Sequence, residues 1–289
     1  MFLPAVFVAL AFAQTSTQKP FEFKDDDRIV WIGNTFVERE QRYGYWETAL
    51  LAANKDKKIT FRNLGWSGDT VFGDARAAFD SPAKGFERLV SLTLELKPTV
   101  IFVSYGSNEA FEGEGGLAKF EKGLEKLLDA LKPTNTRIVL FSPIPLSGNT
   151  PKTVERNAML ARYTEAISGI ARNRGHHFAD LAHIMDGEDS LTDNGIHLNE
   201  NGYKICTPRF IASLGLDART LDWKELDPLR QVVIEKNQLF FYRWRPQNET
   251  YLFGFRKHEQ GKNGKEVAEF DPLVGKAEDD IDKIRKQLK

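Results

Sequence analysis

Four short segments, far apart in the chain, carry residue types that together could perform nucleophilic catalysis. Thr35 supplies a hydroxyl, His197 an imidazole and Asn108 a side-chain amide. A hydroxyl becomes an effective nucleophile when a base takes up its proton, and N–H donors stabilise the oxyanion that then develops. The combination favours acyl transfer. The segments are Gly33-Asn34-Thr35, Asn63-Leu64-Gly65-Trp66-Ser67-Gly68-Asp69-Thr70, Gly106-Ser107-Asn108-Glu109 and Leu191-Thr192-Asp193-Asn194-Gly195-Ile196-His197-Leu198-Asn199.

Each segment also has an ordinary structural interpretation. The pair Asn34-Thr35 is typical of a turn or a helix cap. Gly68 fits a turn, with Asp69 as the N-cap of a following helix. Glycine is also the residue expected where bare backbone must approach a ligand closely, so the two interpretations of Gly68 are compatible. His197 on its own is equally consistent with a turn or a core position.

The elements that must position these segments alternate between strand and helix patterns. Short β-branched and apolar runs predict strands at Arg28–Ile32, Ile59–Asn63, Thr99–Tyr105, Arg137–Ser142 and His177–Asp180. Amphipathic stretches predict helices at Tyr45–Ala53, Gly85–Leu96, Leu117–Leu131, Val154–Asn173 and Gly202–Leu214.

The alternation predicts an α/β fold, a three-layer doubly wound parallel sheet. Strands that are almost entirely apolar, such as Val100-Ile101-Phe102-Val103, are typical of sheets buried on both faces. Each of the four segments is expected to fall just beyond a strand end, which is where such sheets form their ligand crevices. We therefore expect the segments to meet at one edge of the sheet.

In order, spacing and context the four segments resemble the SGNH (GDSL-type) hydrolase family. The resemblance covers about Arg28 to Leu214 and implies a flavodoxin-like sheet. It implies that Thr35 is the nucleophile and His197 its base. It also implies an oxyanion hole made by the backbone N–H groups of Thr35 and Gly68 and by the side-chain amide of Asn108. No cofactor or metal is implied.

The sequence departs from the family pattern at two catalytic positions. Thr35 stands where the family has serine, and its extra methyl group restricts χ1 and crowds the approach of an acyl carbon. Asn194 stands where the family has the aspartate that orients the histidine, and an amide stabilises an imidazolium poorly. Asp193 is one residue away and is a candidate to serve instead. Glu109 replaces a structural aspartate, and we expect it to bond locally.

Two hypotheses follow from this combination. The first is an exported ester hydrolase acting on a small-molecule or glycan acyl ester, with a preference for carbohydrate esters. The second is a catalytically impaired module of the same fold that binds a glycan or a protein partner through the same crevice. Retention of Gly68, Asn108 and His197 favours the enzyme, whereas the changes at Thr35 and Asn194 favour the module.

Composition excludes several other classes. The chain has 289 residues, with 40 basic and 41 acidic side chains and a net charge of −1, so no global field favours nucleic acid or an anionic membrane. The single cysteine, Cys206, excludes an intramolecular disulfide and is expected to be a small buried apolar residue. The remaining histidines show no spacing typical of a zinc site.

The two ends of the chain differ in character from the middle. Residues 1–13 are apolar and end in an Ala-x-Ala pattern, which predicts a signal peptide and a secreted or periplasmic protein without a membrane span. Residues 14–27 are predicted as a polar tether and residues 28–216 as the hydrolase-like domain. Residues 217–289 are predicted as a helical, aromatic-rich C-terminal extension, which either packs against the sheet domain or forms a lid beside the crevice.

Overall fold

A single parallel sheet organises the protein in the computed structural model, which describes residues 18–132, 136–218 and 221–288. The predicted signal peptide and the first residues of the predicted tether lie outside the described residues. The strand order is β2-β1-β3-β4-β5, and every neighbouring pair is parallel. The strands are β1 (Arg28–Gly33), β2 (Thr60–Asn63), β3 (Val100–Ser104), β4 (Arg137–Phe141) and β5 (His177–Ala179).

Helices cover both faces of this sheet. They are α1 (Thr35–Tyr43), α2 (Tyr45–Ala53), α3 (Pro82–Glu95), α4 (Glu114–Leu131), α5 (Pro151–Arg174), α6 (Glu200–Ser213), α7 (Trp223–Trp244), α8 (Glu249–Leu252), α9 (Lys257–Gln260) and α10 (Phe270–Arg285). Short 3-10 helices at Asp74–Arg76, Glu109–Glu112 and Gly261–Glu269 complete the connections.

The alternating side chains of the strands divide the interior into two cores. In β1, Trp31 belongs to a cluster shared with α2 and α6, and its ring stacks on Phe210 at 5.6 Å between centroids. Ile32, the next residue, belongs to the opposite cluster, which it shares with Leu124 of α4 and Ile167 of α5. Because successive strand residues point to opposite faces, a strand that is apolar throughout needs helices on both sides. The predicted three-layer α/β fold is confirmed.

The predicted strands agree with the observed ones to within a residue or so at each end. Four of the predicted helices begin two or three residues earlier than their apolar pattern, because their first turns are polar or begin with proline, as at Pro82 and Pro151. Helix α1 was not predicted. It begins because the Asn34 side chain accepts a hydrogen bond from the backbone N–H of Phe36, at 3.2 Å.

The C-terminal helices pack on the sheet domain beside β2. Lys236 of α7 is buried, and its ammonium lies 2.7 Å from the Glu47 carboxylate of α2 and 3.2 Å from the Phe61 carbonyl oxygen of β2. Phe240 of α7 and Val274 of α10 extend the second core cluster. These contacts support a C-terminal extension that packs against the sheet domain. The domain boundary near residue 217 stays a prediction.

Part of the predicted tether also packs against the domain. Phe21 and Phe23 are buried in the first core cluster, and the backbone N–H of Phe21 donates to the Leu214 carbonyl at 2.8 Å. Cys206 is fully buried in α6, as expected, and burial raises the pKa of its thiol to about 12. Among the described residues, no helix is both long enough and apolar enough to cross a bilayer.

Candidate active site

The predicted nucleophile lies at the junction of the central strand and the first helix. Strand β1 ends at Gly33, where a Cβ would lie 2.7 Å from the Ser104 carbonyl oxygen, so only glycine fits. Thr35 is the first residue of α1, and its backbone N–H therefore has no carbonyl partner within the helix. This N–H points from the positive end of the helix dipole, which suits a developing negative charge.

Gly68 lies directly beside the Thr35 hydroxyl. Its backbone N–H donates to Thr35 Oγ1 at 3.2 Å. The φ angle of Gly68 is +78°, a left-handed conformation that side chains other than glycine rarely adopt, and a Cβ built there would meet nothing within 4 Å. The space beside the Gly68 Cα, where a side chain would project, is therefore open, and the N–H itself is engaged by the Thr35 hydroxyl.

Asn108 is held against the same loop from the end of β3. Its side-chain nitrogen donates to the Asp69 carbonyl oxygen at 2.8 Å, and the amide has a second hydrogen for another acceptor. The Asp69 side chain does not cap a helix, contrary to the structural interpretation of that segment. It forms a fully buried ion pair with Arg76 at 2.7 Å and accepts from the Tyr105 hydroxyl at 2.9 Å, which anchors the loop.

Glu109 ties the second and third segments together. Its buried carboxylate accepts from the backbone N–H groups of Val71, at 2.9 Å, and Gly106, at 2.8 Å. The longer side chain therefore bonds locally, as expected. Burial raises the pKa of this carboxyl to about 7, against the opposing effect of the two backbone hydrogen bonds.

Asn194 contacts the predicted base, His197, through a hydrogen-bond donor where the family has a carboxylate acceptor. Its Oδ1 accepts from the backbone N–H groups of Ile196, at 3.2 Å, and His197, at 3.0 Å, which fixes the orientation of the amide. The Nδ2 group is consequently the one that faces His197 Nδ1, at 3.1 Å. An amide NH₂ is only a donor, so the ring Nδ1 must accept and the ring proton resides on Nε2. A general base needs the opposite tautomer.

Asp193, the candidate substitute for the missing carboxylate, contacts another partner. Its carboxylate forms an ion pair with Arg39 of α1, which also donates from Nε to the Leu198 carbonyl oxygen at 3.2 Å. The pKa of His197 is lowered by partial burial and by the nearby Arg39 charge, and Asp193 opposes this shift. Because its pKa is lowered, the imidazole is neutral over a wider pH range than a free histidine, and a base must be neutral to accept a proton.

Thr35, Asn108 and His197 line one pocket. Apolar side chains form most of its wall, and the Arg156 guanidinium lies 4.3 Å from the Phe111 ring centroid at its edge. These wall residues were not predicted from the sequence, although Ile144 and Leu146 follow the end of β4 and so satisfy the strand-end rule. The remaining lining residues are Asn34, Phe36, Ser107, Ala110, Leu160 and Ile196.

The structure also bears on two other points, a lid over the pocket and a metal site. None of its lining residues belongs to the C-terminal extension, so the contacts give no support to a lid. Within the described parts of the chain, no cluster of three or more histidine, cysteine, aspartate or glutamate side chains could hold a metal ion.

The fold and this pocket define a class: a three-layer α/β protein with a hydroxyl, an imidazole and N–H donors at the carboxyl edge of its sheet. Comparison with known families identifies it further. The GDSL-like Lipase/Acylhydrolase family matches residues 29–205, which is more than half of the chain. The protein therefore belongs to this family, whose members are hydrolases of ester bonds. The predicted resemblance is confirmed.

Individual relatives are more distant. An acetylxylan esterase from Xylanibacter ruminicola is 26% identical over 215 residues, which are 64% of this chain and 42% of that protein. A catalytic mutant of an acetylxylan esterase from Geobacillus stearothermophilus has a similar fold, with a TM-score of 0.54 and 18% identity over 70% of this chain and 98% of that one. A gut microbial diltiazem-metabolizing enzyme has a TM-score of 0.64 and 12% identity, and the match covers 92% of this chain and 96% of that one. This last match takes in C-terminal helices as well as the sheet domain.

Proposed function

We propose that this protein hydrolyses acyl esters through Thr35 as the nucleophile. The observation that carries the proposal is the Gly68 N–H on Thr35 Oγ1 at 3.2 Å, where Thr35 lines a pocket that Asn108 and His197 also line. A hydroxyl that lies close to a backbone N–H donor, an amide and an imidazole is the arrangement that acyl transfer requires.

In the proposed mechanism Thr35 Oγ1 attacks the ester carbonyl carbon and His197 Nε2 takes up the hydroxyl proton. The carbonyl oxygen becomes an oxyanion, which the N–H groups of Thr35 and Gly68 and the Asn108 amide stabilise. The C–O bond to the alcohol then breaks, and the alcohol leaves with the proton from His197. Water attacks the acyl-threonine in the same way and releases the carboxylic acid and free Thr35.

The resting tautomer of His197 makes this sequence slow. A ring with its proton on Nε2 has no lone pair on that nitrogen to accept the proton of the Thr35 hydroxyl. Its proton must first move to Nδ1, where it meets the Asn194 NH₂ group, another donor. We therefore expect a turnover well below that of relatives with an aspartate at this position.

We propose a carbohydrate acyl ester as the substrate. Two of the similar proteins are acetylxylan esterases. The apolar walls formed by residues such as Phe36, Leu146 and Ile196 suit a short acyl group, while the open mouth leaves room for a sugar. Secretion or export to the periplasm, predicted from residues 1–13, belongs to this proposal because polymeric acyl sugars lie outside the cell.

The second candidate is a binding module that holds an acylated glycan or a protein partner without turnover. The contact between Asn194 Nδ2 and His197 Nδ1 favours it, because a binding site has no need for a basic Nε2. Under this alternative the pocket, the Gly68 N–H and the Asn108 amide bind an ester carbonyl that is never attacked.

Hydrolysis of p-nitrophenyl acetate and of acetylated xylo-oligosaccharides by wild type, Thr35→Ala and His197→Ala separates the two. We expect both variants to lose most of the wild-type rate, because the nucleophile or its base is absent. Equal background rates in all three proteins would refute the enzyme. Calorimetric titration with the same oligosaccharides would then detect the binding module.

A further inference from the structure

The loop that carries the Gly68 N–H is held by a carboxylate from the helix that carries Thr35. Glu38, one turn into α1, accepts from the backbone N–H of Ser67 at 2.8 Å and from the Ser67 hydroxyl at 3.0 Å. Both ends of the Gly68–Thr35 contact therefore depend on the same short helix. The carboxylate of Glu38 is largely buried, with 10% of its side chain exposed.

The C-terminal extension supplies the counter-charge. Arg245, at the end of α7, donates from Nη1 to Glu38 Oε2 at 2.7 Å. The same guanidinium lies 3.7 Å from the centroid of the Trp66 ring, and the Trp244 ring packs edge-on against Trp66 at 5.8 Å. An arginine can form an ion pair in its plane and stack on an aromatic ring with its face at the same time.

We propose that Arg245 is a positioning residue for the oxyanion hole. Through Glu38 and the Trp66 ring it fixes the loop of Trp66, Ser67 and Gly68, so that the Gly68 N–H stays directed at the Thr35 hydroxyl. The inference rests on the proposed ester hydrolysis, which it deepens. Arg245 lies outside residues 29–205, so the catalytic domain depends on a contact that the family match does not contain.

Charge and burial explain why this contact matters. Without Arg245 the Glu38 carboxylate would be a largely buried anion whose remaining partners are neutral hydrogen bonds, and such a group draws in water or changes rotamer. Either response releases Ser67. Because Gly68 has no side chain to pack and faces open space where a Cβ would lie, the loop would then sample conformations in which its N–H leaves Thr35.

The test compares Arg245→Gln and Arg245→Lys with a matched control, Arg243→Gln. Arg243 lies two residues earlier in α7 and pairs with Asp271 at 2.8 Å, a contact entirely within the extension. We expect Arg245→Gln to lower kcat about tenfold with KM nearly unchanged, since losing an oxyanion donor outright costs ~10²–10³. Arg245→Lys should recover part of kcat through the restored charge. Arg243→Gln should keep kcat and KM within about twofold, as for other exposed ion pairs.

Hydrogen–deuterium exchange of the peptide spanning residues 64–70 tests, without relying on activity, whether Arg245 fixes the loop. In Arg245→Gln we expect exchange there to be at least about fivefold faster, and in the control to be unchanged. Unchanged exchange in Arg245→Gln would overturn the proposal. So would faster exchange with an unaltered kcat. If exchange is faster in Arg245→Gln but the wild-type protein has no esterase activity, Arg245 does hold the loop and the proposed function is rejected instead.

Discussion

Asn194→Asp is the substitution that most directly tests the proposed chemistry. The side chain keeps its size, and Oδ1 can still accept from the backbone N–H groups of Ile196 and His197. The atom 3.1 Å from His197 Nδ1 changes from a donor nitrogen to an acceptor oxygen. The ring must then carry its proton on Nδ1, which leaves the Nε2 lone pair free for the Thr35 hydroxyl.

The expected gain follows from this one reversed hydrogen bond. A hydrogen bond to a charged group contributes about 1.5–3 kcal/mol, which corresponds to a factor of roughly 10–150 in rate at about 1.4 kcal/mol per tenfold. The opposite change in the chymotrypsin-type triad lowers kcat by about 10⁴. Asn194 is solvent-exposed, so we expect a rise of about 10²-fold in kcat for this protein. The new carboxylate also raises the pKa of His197.

Steady-state hydrolysis of p-nitrophenyl acetate measures this gain, and nitrogen NMR of labelled histidine reports the tautomer directly. The ring proton should lie on Nε2 in wild type and on Nδ1 in Asn194→Asp. The acid limb of the kcat/KM profile should lie at higher pH in Asn194→Asp than in wild type. Asn201→Asp, which adds the same charge at an exposed position in the first turn of α6, is the matched control. An Nδ1–H tautomer already present in wild type, or the same kcat in both aspartate variants, would refute the reasoning.

Three further predictions concern neighbouring groups. Thr35→Ser should raise kcat by up to about tenfold, because removing the methyl group relieves roughly 0.5–1.5 kcal/mol of rotamer strain and crowding in the transition state. A fall in kcat would show instead that the methyl group helps to position the hydroxyl. Arg39→Ala should move the acid limb of kcat/KM to higher pH, because the Arg39 charge lowers the pKa of His197; an unmoved limb in a pH profile would contradict this. Glu109 has a folded-state pKa of about 7 against 4.5 when unfolded, so the unfolded chain loses its proton first and stability falls as pH rises between these values. Urea unfolding should show wild type losing about 3 kcal/mol relative to Glu109→Gln across that interval, and parallel curves would contradict the shift.

The strand and helix framework could be predicted because its signals are local. Apolar runs such as Val100-Ile101-Phe102-Val103 become buried strands wherever helices cover both faces. Residues that follow parallel strands meet at one edge, so the sequence alone predicts that Thr35 and Asn108 lie together. Helix α1 was missed because its signal is a single cap, Asn34, rather than an apolar period.

The tertiary structure alone decided which polar groups pair. Asp193 is one residue from the position of the missing carboxylate, yet it bonds Arg39, 154 residues away in the chain. Arg245 reaches Glu38 across 207 residues. Side-chain partners depend on distances between elements that no local pattern encodes.

The sequence by itself determined the layered fold, its family and the four segments at the edge of the sheet, because hydrophobic periodicity and strand-end geometry act over a few residues. Only the folded chain decided that the Asn194 amide donates to the ring of His197 and that the C-terminal extension holds the loop of Gly68. Both contacts depend on the orientation of a planar polar group among partners that folding brings together.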